Sequence, residues 1–154
     1  MSKIDDRLQE LGITLPAAPK PGGSYVPVVL AAGMAFVAGQ IPAVDGNIRY
    51  TGAVGRDADE DTARAAARTC ALNILAALRS ALDGDLDRVR RCVKLGVFVQ
   101  CVEGFDRQPE VANSASDVML QVFGEAGRHA RFAVGTNALP RNVTVEIDAI
   151  FEID

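Results

Sequence analysis

The sequence has no tryptophan, a single histidine (His129), three cysteines and only 5% aromatic residues. Each shortage removes a class of site. Cys70, Cys92 and Cys101 are odd in number and show no Cys-x-x-Cys spacing, so reduced thiols in a core are expected rather than a disulfide framework. One histidine among scattered cysteines supplies no set of zinc ligands, and no metal is expected. Positive charge is not in excess either: 16 Lys and Arg against 20 Asp and Glu give a formal net charge of −4. The chain therefore lacks the field that draws proteins onto phosphate backbones, and nucleic acid is not an expected partner. The longest apolar stretch, Val26 to Val37, is interrupted by Pro27 and Gly33 and is too short for a bilayer. Asp5 and Asp6 stand where a signal peptide would carry its charged and apolar regions, so the expected location is the cytoplasm. There is no dinucleotide-binding glycine motif, no P-loop, no Gly-x-Ser-x-Gly elbow and no His-Glu-x-x-His. His129 has no obvious partner serine, which argues against nucleophilic hydrolysis.

What is present reads as one domain. The 154 residues, 49% hydrophobic and 23% charged, suffice for a sizeable core without a staple. Ile4, Leu8 and Leu11 fall at helical spacing and stop at Gly12, so residues 1–18 read as an additional N-terminal helix and loop. Three prolines and two glycines between Leu15 and Ser24 forbid regular structure. Two short strands, Tyr25 to Ala32 and Met34 to Gln40, are predicted around Gly33. A long helix runs from a cap at Asp57 or Asp59 to about Asp83, one face made of Ala63, Ala66, Ala67, Cys70, Ile74 and their like. Val89 to Val102 alternates as a strand, with Val93, Leu95, Val97, Val99 and Cys101 on one side. A second helix is predicted from about Pro109 to Gly124, then strands Ala130 to Ala138 and Val143 to Ile153 joined at Leu139 to Asn142. In the last strand Val143, Val145, Ile147, Ala149, Phe151 and Ile153 all point one way. This order predicts an α+β domain in which two helices cover one face of a mixed sheet. The second face is left with Glu146, Asp148 and, by the parity of its strand, Arg131, mixed with Ala133, Gly135 and Ile150. That face is too polar for a core and too apolar for free solvent, so a partner subunit is expected to cover it.

Arg131 offers a guanidinium fork that fits a carboxylate. The alternative is a cross-strand ion pair with Glu146 or Asp148. A hairpin turning at Pro140 and Arg141 would set Arg131 opposite Ile150, with Glu146 about 13 Å further along, leaving the two unpaired within one chain. Glu146 is either a solvated edge residue or a group that holds and polarises a water. Tyr25 is an apolar plug or a hydroxyl in reach of a small ligand. Gly39 is a turn glycine or a place where backbone nears a ligand, and Asn113 is most simply a surface residue.

Ser24-Tyr25-Val26, Val37-Ala-Gly-Gln-Ile-Pro42, Val93-Lys-Leu-Gly-Val-Phe-Val99, Ala130-Arg131 and Leu139-Pro-Arg-Asn-Val-Thr-Val-Glu-Ile147, in this order, resemble the Rid/YjgF family, also called the endoribonuclease L-PSP family. The resemblance implies a chorismate-mutase-like fold, a homotrimer, and ligand sites in clefts between subunits. For the deaminating members it implies hydrolysis of enamine and imine intermediates such as 2-aminoacrylate to a 2-keto acid and ammonia, with no metal or organic cofactor. Carried across, the carboxylate-binding arginine falls on Arg131, the water-positioning glutamate on Glu146, and the cleft tyrosine on Tyr25. Gly39, Ala133 and Asn113 join Arg131 in binding substrate. The family's Pro-Ala-Arg-Ser-Cys reads His129-Ala130-Arg131-Phe132-Ala133 here, which changes the surroundings of the arginine. Two other functions compatible with the resemblance are a small-carboxylate-binding trimer without turnover and an endoribonuclease; the acidic balance opposes the latter.

Overall fold

A computed structural model describes residues 2–154. Helix α1 (Lys3–Glu10) begins where Ser2 Oγ accepts the Asp5 N–H at 3.0 Å. It is docked rather than loose: the backbone N–H groups of Lys3 and Ile4 donate to the Asp87 carboxylate, each at 2.8 Å, and Leu8 is buried. The proline-rich segment that follows has no regular structure.

Strands β1 (Val28–Ala31) and β2 (Met34–Gln40) form a hairpin whose two turn residues, Ala32 and Gly33, have φ of 51° and 72°, the tight turn that matches strand twist. The first strand starts at Val28, not Tyr25. Pro27 can still accept a bond from the Ala38 N–H at 2.9 Å but has no N–H to return. A two-residue-stranded hairpin, β3 (Ala43–Val44) with β4 (Asn47–Ile48), occupies part of the expected loop. Helix α2 (Glu60–Ala81) is capped by Asp59, whose Oδ1 accepts the Thr62 N–H at 2.7 Å, which resolves the choice between Asp57 and Asp59. Strand β5 (Val89–Gln100), helix α3 (Gln108–Phe123), β6 (Ala130–Thr136) and β7 (Val145–Ile153) complete the chain.

The main sheet has the order β1-β2-β7-β5-β6, with β5 and β6 parallel and every other pair antiparallel. This is the mixed, one-face-covered α+β sheet expected. Rows of the helix-covered face run Val37, Ala149, Leu95, Arg131 and, one row on, Ile147, Val97, Ala133. Beneath α2 and α3 Val37, Ala149, Leu95, Ile147 and Val97 are buried, together with Phe151, Ile74 and Leu78, while Ala133 on the edge strand is half-buried. Alanines on α2 let it approach closely: Ala63, Ala66, Ala67 and Ala71 have no exposed surface.

Three expectations need correction. First, β6 and β7 do not form a hairpin, because β5 lies between them. The connection crosses the end of β5, where the buried Gln100 accepts from the Leu139 N–H at 3.3 Å and donates to Asn142 Oδ1 at 2.9 Å. Second, Arg131 is on the helix face. Arg131, Ala133 and Gly135 face α3, while Phe132 and Val134 face away; a Cβ on Gly135 would meet Cys101 Sγ at 2.7 Å and Gln108 Nε2 at 3.0 Å, so only small residues fit there. Phe132 instead packs edge-on against Phe98, 5.3 Å between centroids. Third, β5 shifts register between Cys92 and Lys94, so that Cys92 is buried and Val93 only half-buried.

Candidate functional site

Arg131 leaves β6 beneath α3. Its Nη1 donates to Asn113 Oδ1 at 2.9 Å and to Ser116 Oγ at 3.1 Å, and its Nη2 donates to the Pro109 carbonyl at 3.4 Å. Positions 109, 113 and 116 are one stripe of the helix, so α3 holds the guanidinium along a single edge. Asn113 is an exposed residue, as expected, but its side chain is committed to Arg131. Among the described residues Arg131 has no ion-pair partner, so the cross-strand pair with Glu146 or Asp148 does not form. Ala133, two residues on, shares its face.

His129 also differs from expectation, since it does have a partner serine. Ser116 Oγ lies 2.9 Å from its Nε2, and its Nδ1 lies 2.6 Å from the Gly127 carbonyl. Neither contact follows from sequence distance, but the spacings carry a signal: Asn113 and Ser116 share a helix face, and His129 stands just before β6, two residues ahead of Arg131.

Glu146 sits on the other side of the sheet, opposite Phe98 on β5. A bulge in β2 between Val37 and Gln40 turns Gly39 toward it. A Cβ on Gly39 would lie 2.5 Å from Glu146 Oε1, which explains glycine at this position better than any turn does. The bulged segment is pinned from α2, where the buried Asn73 donates to the carbonyls of Ile41 and Ala43 at 2.9 and 2.8 Å; this anchor was not anticipated. Burial raises the Glu146 carboxyl above its ordinary value, and the nearby Asp148 charge adds to the rise. Tyr25 is 50% exposed and its hydroxyl accepts the Gly22 N–H at 3.2 Å, folding back on its own loop. The segment before Val28 continues toward the Gly39 end of β2.

The structure thus brings Arg131, Asn113 and Ala133 together on one face and Glu146 with Gly39 on the other. Arg131 and Glu146 stand two strands apart, about 10 Å across the sheet, and point to opposite sides. Around Glu146 the open face carries Phe36, Phe98 and Val134, 44%, 38% and 43% exposed. Among the described residues no group of three His, Cys, Asp or Glu is arranged to hold a metal ion, and no helix is long and apolar enough to cross a membrane.

Comparison with known proteins gives a consistent result. The family described as "YjgF/chorismate mutase-like, putative endoribonuclease" matches residues 5–152. Protein TCP17 of Trypanosoma cruzi is 46% identical over 153 residues, covering 99% of this chain and 95% of its own. The crystal structure of Atu1372 from Agrobacterium tumefaciens, a protein of unknown function, is 50% identical with a TM-score of 0.91, over 98% of this chain and 92% of that one. More distant is E. coli TdcF with bound serine, 26% identical at a TM-score of 0.62, over 89% of this chain and 94% of that one.

Proposed function

Because this chain belongs to the YjgF/Rid family, we propose that it hydrolyses reactive enamine and imine intermediates, 2-aminoacrylate and its like, to 2-keto acids and ammonia without a metal or organic cofactor. The observation that carries the reading is Arg131: a cation fixed by α3 and free of any protein anion among the described residues. A small organic acid is its natural partner, through a charge-assisted, two-pronged contact. Serine, the ligand in the TdcF structure, is a three-carbon carboxylate of the same skeleton as 2-aminoacrylate.

The chemistry asks little more of the protein. Protonation of the enamine at its methylene carbon gives the imine. Water then adds to the electrophilic carbon, the nitrogen is protonated and leaves as ammonia, and the carbonyl remains. Positioning and charge suffice for such a substrate. Glu146, half-buried and with its carboxyl above the ordinary range, is suited to take the proton of the attacking water and to return one to the departing nitrogen.

Arg131 and Glu146 open to opposite faces, so one complete site needs Arg131 from one copy and Glu146, Gly39 and Tyr25 from another. A homotrimer with clefts between subunits is part of this proposal, and the exposed Phe36, Phe98 and Val134 supply apolar area for it. The test is to generate 2-aminoacrylate in situ and follow keto-acid release above the spontaneous rate. Arg131→Ala is expected to lose about 100-fold of the acceleration; equal rates for variant and wild type would dismiss the assignment. Saturable pyruvate binding with no acceleration would identify a carboxylate-binding trimer instead.

A further inference from the structure

The guanidinium of Arg131 has five N–H donors in a fixed plane. Both Nη1 hydrogens are taken, by Asn113 Oδ1 and Ser116 Oγ, and Nη2 gives one toward the Pro109 carbonyl. The edge joining Nη1 and Nη2 therefore lies along α3 and is closed to a ligand. What is left is the Nε–H with the Nη2 hydrogen beside it, the side-on fork of the group.

Behind this edge runs a chain of hydrogen bonds with a defined direction. The Gly127 carbonyl can only accept, so His129 Nδ1, 2.6 Å away, carries a proton and donates it there. In the neutral ring Nε2 is then an acceptor, and the Ser116 hydroxyl, 2.9 Å away, donates to it. With its hydrogen committed to the histidine, Ser116 Oγ presents a lone pair to Arg131 Nη1 at 3.1 Å. Ser116 is 9% exposed, and a serine in a helix otherwise has a rival use for its hydroxyl hydrogen, the carbonyl one turn back. His129 removes that choice.

We infer that His129 and Ser116 are positioning residues that fix the rotation of Arg131, so that a substrate carboxylate is seated on the Nε and Nη2 donors. The inference rests on Arg131 as the carboxylate site proposed above. It adds two residues with a stated order of action, His129 through Ser116, and a stated edge of the guanidinium. It also gives the change from the family's usual proline to His129 a physical role.

The test uses pyruvate as the probe and reads its affinity for the assembled protein. Ser116→Ala is expected to weaken pyruvate binding about tenfold, the worth of one hydrogen bond to a charged group. His129→Ala is expected to weaken it by about threefold or more through the same path. Because one acts through the other, the double variant should be no weaker than Ser116→Ala alone. A second readout needs neither variant: the Arg131 Nε–H proton resonance, assigned by its loss in Arg131→Lys, should move downfield on adding pyruvate to the wild type. Effects that multiply in the double variant, or wild-type affinity in both single variants, would overturn the inference, as would an Nε–H that ignores pyruvate while binding saturates. Pyruvate affinity unchanged in Arg131→Ala would instead remove the carboxylate site itself, a separate failure.

Discussion

Phe36 and Val37 are neighbours in β2, yet Phe36 is 44% exposed and Val37 4%. The same contrast runs along β7, where every second residue from Val145 to Ile153 is buried and those between are half-buried or exposed. One face lies beneath α2 and α3, where Leu95, Val97, Ile147 and Phe151 lose all contact with solvent. The other carries Phe36, Phe98 and Val134 beside Glu146 and Asp148, and among the described residues these three side chains stay exposed. The first face is a finished core and explains why a single chain folds. The second combines exposed apolar side chains with a half-buried carboxylate, and the assembly proposed above would rest on it. The helix-covered face holds the core, while the candidate site residues are divided between the two: Glu146 and Gly39 lie on the open face, and Arg131 lies on the helix-covered face at the edge strand β6.

The contrast predicts effects of different kind and size. Phe151→Ala removes a fully buried ring that also packs edge-on against Phe123, 6.1 Å between centroids. It should cost about 3–5 kcal/mol in chemical denaturation of the isolated chain. Phe36→Asp, one row away and beside Val29 and Ile150, should change the stability of the isolated chain by less than about 1 kcal/mol. Sedimentation should nonetheless show it shifted to the monomer, with imine hydrolysis lost. A Phe36→Asp protein that stays assembled and active would erase the distinction between the two faces.

Legibility in the sequence followed the same division. The core face was readable because burial imposes a strict period: the alternation from Val143 to Ile153 and the alanine stripe of α2 are patterns that only a covered face requires. The pairing of strands was not readable, because it depends on where the chain goes after a turn. Nothing local in Leu139 to Asn142 distinguishes a hairpin from a crossing over the end of β5, a path held by the amide of Gln100 forty residues away. The face of Arg131 was misjudged for a related reason. Phe132 and Val134 are the larger apolar residues, but the close approach of α3 at Gly135 and Cys101 leaves no volume for them. The resemblance to a known family points to Arg131 and Glu146 as positions to inspect, and the geometry puts them on opposite sides of the sheet.

Gly39 tests the second face more finely. Its alanine variant would place a methyl group 2.5 Å from Glu146 Oε1. Carboxylate ends are flexible, so the side chain would swing aside and the fold would lose under about 1 kcal/mol. The displaced carboxylate would no longer aim a water, and turnover should fall about tenfold with substrate affinity nearly unchanged. Loss of affinity instead would place Gly39 in contact with the carboxylate end of the substrate.

The smallest effect concerns charge on that face. The folded chain raises the Glu146 carboxyl above its ordinary value, first through burial and then through Asp148. Across the interval from that ordinary value upward, the folded state therefore binds more protons at this site than the unfolded state. Stability contributed here is present at low pH and is lost as pH rises through the raised value. Glu146→Gln has no proton to lose, so in the dissociated Phe36→Asp background it should be more stable than its parent at pH 7. Solvent around the half-exposed group keeps the gain under about 1 kcal/mol. Lowering the pH should shrink the difference and abolish it below about 4.5, the ordinary value for this group. A glutamine variant that is less stable at pH 7, or whose advantage persists in acid, would mean that the carboxylate is already satisfied within one chain, leaving that face no reason to seek a second.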